Sequence, residues 1–277
     1  MTLNSAPDQS IPFISEVDVL VIGSTAAAVA AALAARSRNA SVYLVSDRSY
    51  VGEEIAGRLE PLPSAESLGS VLAEALAEAG TDPTPLTLKR LLEQALLSRG
   101  VELLYHSRPV SLLKNAGDRI GGAVFASRAA WFAIRAKQVI DASVHGVAAR
   151  LGPWKAENRA RLSVHFSHLI AAPDSERPER RAQETELDPS PAGVSELAAL
   201  DQRIREAAFL PEQVKAADSA AMMAPWIFED IPVESGFALA GSAALPGNVL
   251  DFPAIFRNAE TAGLAAAARA AQCPPFE

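Results

Sequence analysis

The stretch Val17-Asp-Val-Leu-Val-Ile-Gly-Ser-Thr-Ala-Ala-Ala-Val-Ala-Ala-Ala-Leu-Ala-Ala-Arg36 decides the fold. It reads as a buried strand that turns at Gly23 directly into an alanine-rich helix. A second apolar strand, Ser41-Val-Tyr-Leu-Val-Ser46, follows and runs into Asp47. Strand, glycine turn, small-residue helix and acid-tipped second strand form the pattern of a βαβ unit that binds a dinucleotide at the helix N-terminus.

Such a turn needs a tight bend, room for a pyrophosphate, and a helix lying close on the sheet. Gly23 supplies the bend. The position two residues on, normally glycine so that backbone N–H groups can approach the phosphates, is Thr25. The third glycine position is Ala28, a replacement the pattern tolerates. The Cβ of Thr25 narrows the approach, while its hydroxyl offers a donor to a phosphate oxygen. Ser24, Thr25 and Ala26 open a helix whose first N–H groups suit an anion. A strand and helix that pack well and bind nothing is the other reading of these residues. On the second strand, Ser46 ends the apolar run. Asp47 lies 24 residues after Gly23, against the roughly 20 expected of a ribose-binding acid. It serves either the ribose hydroxyls or a turn ahead of Arg48-Ser49.

The 277 residues suffice for one large or two modest domains, and 49% hydrophobic with 21% charged residues marks a soluble globular chain. A net charge of −8 excludes a broad nucleic-acid surface. The single cysteine, Cys273, excludes an internal disulfide and a CxxC pair, which suits a reducing compartment. Met1–Ser10 is polar and lacks a basic start and an apolar core, so no leader is read. The apolar stretch from Ala26 to Ala35 is too short to span a bilayer. A cytoplasmic location, without nucleic-acid or membrane partners, is the expectation.

Further along, helices are expected over Glu66–Glu78 and from the Thr84-Pro85 cap through Ser98. Strands follow at Val101–Tyr105, Val110–Lys114, Ile120–Ser127 and Ala130–Arg135, with hairpin turns at Asn115–Asp118 and Ser127-Arg128. This three-stranded meander feeds a return strand, Gln138–Ala142. Arg161–Ala171 alternates as a strand, Pro173–Pro191 reads as a solvated excursion, and Glu196–Lys215 reads as a helix. Phe237–Gly241 is a short strand, and Ala254–Ala271 a closing helix. Trp131-Phe132 and Trp226-Ile-Phe228 read as core. His165 and His168, three apart on a strand, point to opposite faces and form no metal site.

These pieces together resemble the FAD-dependent oxidoreductases of the glutathione-reductase-like superfamily. Four segments carry the likeness: Glu16–Thr25, Asp47–Glu54, Ala136–Ser143 with Gly146–Arg150, and Ala240-Gly-Ser242 with the helix from Pro253 to Ala271. The third is similar to the family's VIDATGDGDVAA segment. The resemblance implies an α/β, Rossmann-like fold with a parallel central sheet, an antiparallel three-stranded meander and a reduced substrate region. An FAD domain would comprise 12–152 with 236–272, and a reduced cap 153–235. It implies non-covalent FAD, with the Gly23–Ala28 turn on the pyrophosphate, Ser46, Asp47 and Arg48 at the ribose, and Gly52 in the loop after the second strand. Val110 would lie in the strand whose backbone meets the adenine, Ala142 and Ser143 on the path to the phosphates. Gly241, Pro253, Ala254 and Ile255 would lie near the isoalloxazine, with the positive end of the last helix favouring a reduced, anionic flavin.

The function implied is hydride or electron transfer between flavin and a small organic substrate, with no protein nucleophile required. The lone cysteine rules out a flavin–disulfide mechanism. His145 is an acid/base candidate. Departures from the family pattern are Val144-His145, where Gly-Asp is usual, and Ser242, where a basic residue is common. Ser242, with the altered glycine positions and the reduced substrate region, supports an alternative, a catalytically silent subunit that works by association. On either reading a second copy or another chain is expected to cover the open substrate side through an exposed Trp226–Phe228 cluster.

Overall fold

The computed structural model describes residues 11–57, 62–115, 117–159, 161–170, 179–187, 214–222, 226–229, 231–246 and 251–276. Its centre is β1 (Phe13–Ile22), which pairs in parallel with β2 (Val42–Val45) on one side and β6 (Trp131–Asp141) on the other. Val17, Val19, Leu20, Val21 and Ile22 are all buried, as a strand covered on both faces requires. The strand begins at Phe13, four residues ahead of the apolar run that opens at Val17.

Between β1 and β2 runs α1 (Ala26–Arg36), buried from Ala26 through Ala35. A helix apolar all round must be covered all round. The sheet covers one side, and the closing helix α6 (Phe252–Ala270) lies along another. Alanine side chains let the two helices approach closely: a Cβ built on Gly263 would stand 2.2 Å from the Ala31 carbonyl oxygen.

With β3 (Glu102–Leu104), β4 (Arg108–Lys114) and β5 (Ile120–Ala126), the sheet order is β3-β2-β1-β6-β5-β4. A further strand, β12 (Phe237–Leu239), runs parallel to the end of β6. The Rossmann-like parallel sheet and the antiparallel meander are therefore as expected. The third meander strand and the return strand, however, are one: β6 pairs antiparallel with β5 over Trp131–Arg135 and parallel with β12 over Val139–Asp141. Ala136-Lys137 carries no turn residue, and β1 runs beside both halves and keeps them in line.

The helix expected over Glu66–Glu78 is broken into α3 (Ala65–Leu68) and α4 (Ser70–Ala75). Gly69 between them adopts φ +74°, and the Glu260 carboxylate of α6 accepts from the Ser70 N–H at 3.1 Å, restarting the helix. α5 (Pro85–Ser98) forms as read, with the Thr84 hydroxyl accepting from the Thr87 N–H. The short α2 (Glu53–Ala56) lies in the loop after β2.

Within 153–235, the stretch expected to form a cap, β7 (Ala156–Asn158) pairs with β11 (Trp226–Phe228), and β8 (Leu162–Ile170) lies between β9 (Glu179–Leu187) and β10 (Val214–Met222). The solvated excursion is overturned over Glu179–Leu187, which pairs residue for residue with β8. A polar strand needs no apolar face once a neighbour completes its backbone ladder, and Arg161–Glu186 adds an ion pair. Residues 173–178 and 188–191 lie outside the described residues, as does 196–213 of the expected helix; its end is strand from Val214 onward.

Trp226 (1% exposed) and Phe228 (9%) are core, as read, so they form no exposed docking cluster. Trp131 is 59% exposed against that reading, because strand alternation turns Phe132 inward and Trp131 outward. Among the described residues, no helix is long and apolar enough to cross a membrane.

Candidate cofactor site

Three segments meet at the C-terminal end of β1: the Gly23 turn, the Gly52 loop and the end of β6. Gly23 has φ +146°, and a Cβ there would stand 2.6 Å from the Ala142 carbonyl oxygen. Only glycine lets β1 turn this close to β6. The Ala142 N–H donates to Ile22 and the Gly23 N–H to Val45, tying all three strand ends together. Thr25 is the N-cap of α1: its hydroxyl accepts from the Ala28 N–H at 2.9 Å and donates to the Ala142 carbonyl at 2.6 Å. The Thr25 hydroxyl is thus engaged within the fold, so a helix cap replaces the expected donor to a phosphate.

The next two N–H groups of that first turn, Ala26 and Ala27, both meet one carboxylate. Glu54 Oε2 accepts from Ala26, and Oε1 from Ala27 at 3.5 Å. Beside it, Glu53 accepts from the Ser24 hydroxyl at 2.8 Å and pairs with Arg48 at 3.0 Å. Gly52, at φ +85°, makes this approach possible. The N–H groups of Gly52 and Glu53 donate to the Ser24 carbonyl, and a Cβ on Gly52 would strike Leu92 Cδ1 at 2.2 Å. α1 has no acid in its own first turn, so α2 supplies the negative charge that a helix N-terminus favours. Burial pushes the Glu54 carboxyl up to about 7, against the N–H bonds from Ala26 and Ala27 and with a further push from Glu53. A carboxyl raised in this way contributes stability that is full below its ordinary 4.5 and is lost as pH rises through about 7.

Just past the end of β2, Ser46 is fully buried; its hydroxyl donates to the Tyr50 carbonyl and accepts from the Arg48 N–H, both at 3.1 Å. Ser46 is therefore a turn residue, and Asp47, beyond the end of β2, is the partly exposed one of the two. The N–H groups of His106 and Ser107 donate to the Arg48 and Ser46 carbonyls, and the Ser46 N–H donates to the Leu104 carbonyl. Val110 follows them in β4, partly buried.

At the end of β6, Asp141 is fully buried and organises the following loop. Its Oδ1 accepts from the Ser143 N–H (3.0 Å) and hydroxyl (2.6 Å), and its Oδ2 from the Ala149 N–H (2.8 Å). Burial pushes this carboxyl above its usual range while those donors hold it down. Gly241, at φ +72°, lies against α1: a Cβ there would stand 3.0 Å from the Ala27 Cβ. Its N–H donates to Asn258 of α6, and the Ser242 hydroxyl donates to the Val144 carbonyl. Pro253 opens α6, Asp251 caps it by accepting from the Ala254 N–H at 3.0 Å, and Ile255 is core at 1% exposure. The N-terminus of α6 thus already faces a carboxylate of its own.

The model of the family described as FAD dependent oxidoreductase matches residues 18–157, the segment that builds this turn, loop and strand end. The chain belongs to that family. FAD is the cofactor of this oxidoreductase family, and the chain is a flavin redox protein by descent. No curated protein matches the sequence. Among solved structures, a geranylgeranyl bacteriochlorophyll reductase-like protein from Thermoplasma acidophilum is 17% identical. Its TM-score is 0.61, over 92% of this chain and 77% of that one. A flavoprotein/dehydrogenase from Cytophaga hutchinsonii is 16% identical with a TM-score of 0.61, over 93% and 78%. The anhydrotetracycline hydroxylase from Streptomyces rimosus is 15% identical with a TM-score of 0.62, over 94% of this chain but 63% of that one. These likenesses are of fold.

The residues present suit a phosphate: two N–H groups of the first turn of α1 already converge on the carboxyl oxygens of Glu54. The turn also gathers Gly23, Ser24, Thr25, Ala26, Ala28, Gly52, Ala142, Ser143 and Gly241 around one strand end, while Ile255 is withdrawn into the core. Sequence reasoning missed Glu53, Glu54 and Asp141. Two acids after a glycine, in reach of a helix with no acid in its first turn, were the available signal for the first two.

Proposed function

We propose that this chain uses FAD, held at the Gly23–Ala28 turn, to exchange a hydride or electrons with a small organic substrate. The observation that carries the reading is the first turn of α1, whose Ala26 and Ala27 N–H groups converge on one pair of carboxyl oxygens at the end of β1. Those two N–H groups would hold the pyrophosphate, Asp47 the ribose, and the Ala142-Ser143 and Gly241 backbones would wall the path beyond. FAD, when bound, supplies the redox chemistry. The protein's part is position and exclusion of water. Asp141 fixes the loop from Ser143 to Ala149, and the Ser242 hydroxyl ties that loop to the Gly241 segment.

The test is anaerobic mixing of the FAD-loaded protein with reduced nicotinamides and with small alcohols, amines and hydroxy acids, followed in the visible flavin band. Bleaching by at least one class is expected. A bound flavin that dithionite reduces but that no organic donor bleaches would contradict the redox role.

A further inference from the structure

We propose that Glu54 is a built-in anion that occupies the pyrophosphate position of the Gly23–Ala28 turn, so that FAD binds only as the Glu54 carboxylate withdraws. This rests on the reading of the turn as the FAD site. Three observations carry it. The Glu54 oxygens take the N–H groups of both Ala26 and Ala27, and Thr25 takes that of Ala28, so the first turn is fully engaged by the chain itself. A phosphate needs those same donors, and two oxyanions cannot share them without strong like-charge repulsion. The placement is built rather than incidental. Gly52 in its left-handed conformation, the Gly52 and Glu53 N–H bonds to Ser24, and the Glu53–Ser24 contact all bring α2 under α1. Among the described residues no cation pins the carboxylate: the nearby guanidinium, Arg48, is paired with Glu53. The partners of the Glu54 side chain among the described residues are the Ala26 and Ala27 N–H groups, and Glu54 sits on a helix of only four residues.

An occupied site binds with its intrinsic affinity reduced by the fraction of molecules in which it is open. Removing the occupant should restore that fraction. Titration of FAD, read by the quenching of flavin fluorescence, is expected to give a Kd for Glu54→Ala at least about tenfold below that of the wild-type chain. Glu54→Gln should fall between them, because its amide oxygen still accepts from the turn but brings no charge; it also serves if the alanine variant does not fold. A second arm uses inorganic pyrophosphate at millimolar concentration, which should raise the melting temperature of the variants and leave the wild-type chain unmoved.

Equal FAD affinity in wild type and variants would overturn the inference while leaving the FAD site intact. Pyrophosphate stabilisation confined to the variants, with FAD bound by none, would uphold the role of Glu54 and overturn the FAD reading. Binding of neither ligand by any of the proteins would overturn both.

Discussion

Gly263→Ala is expected to lower stability by about 3 kcal/mol and the melting temperature by about 10 °C. The sign is the informative part. In an exposed helix the same change gains about 1 kcal/mol, because alanine loses less backbone freedom on folding. Here the added Cβ would stand 2.2 Å from the Ala31 carbonyl oxygen and within 3.0 Å of the Ala31 Cα. Both obstacles are backbone, so no rotamer change relieves them and α6 must move off α1 by about 1 Å, opening gaps along a close-packed interface. α1 is the helix whose N-terminus builds the cofactor turn, so the displacement should reach the site as well as the core. Thermal unfolding of the two proteins measures this directly. An unchanged or raised melting temperature would show that the two helices are not in contact at Gly263.

Asp141→Ala is expected to cost about 4 kcal/mol, because it removes one buried carboxylate and strands its donors. The Ser143 N–H, the Ser143 hydroxyl and the Ala149 N–H all lose their acceptor, and Ala149 is wholly buried. A stranded buried donor costs about 1–3 kcal/mol, whereas the desolvation of the aspartate itself is relieved. The net is a large loss, with the loop from Ser143 to Ala149 released from the end of β6. Asp141→Asn should lose less, since one oxygen still accepts. Urea unfolding of the three proteins should rank them wild type, Asn, Ala. An alanine variant as stable as wild type would mean that water satisfies these donors as well as the carboxylate does.

Much of this architecture was legible in local patterns. The Val17–Ile22 strand, the alanine helix and the second strand follow from apolar runs broken at a single glycine. The meander follows from alternation and two polar turns. What escaped was set by partners distant in sequence. Ala136 and Lys137 separate the two strands read from the sequence, but β1 pairs with β6 from Ala133 to Asp141 and carries the strand through them. Gly69 reads as a tolerated helix interior, yet its left-handed conformation is fixed beside Glu260, far along the chain.

The site divides in the same way. Gly23 and Ala28 announce the turn, but whether the Thr25 hydroxyl faces a phosphate or caps the helix depends on the Ala142 carbonyl 2.6 Å away. Glu54 reaches α1 from a loop after the next strand, and the two acids that follow Gly52 are the one trace of that contact in the sequence. Asp141 lies within the Ala136–Ser143 segment that carries the family likeness. Its role appears only when the loop up to Ala149 closes on its carboxylate.

The central claim is that the first turn of α1 is a pyrophosphate site of an FAD protein. Equilibrium titration of FAD against the purified chain, with Glu54→Ala alongside and riboflavin as competitor, tests it most directly. Saturable binding of one FAD per chain is the expected result, tighter in the variant and unaffected by riboflavin, which has no phosphate for the Ala26 and Ala27 N–H groups to hold. The absence of saturable FAD binding in both proteins, or equal competition by riboflavin, would contradict it.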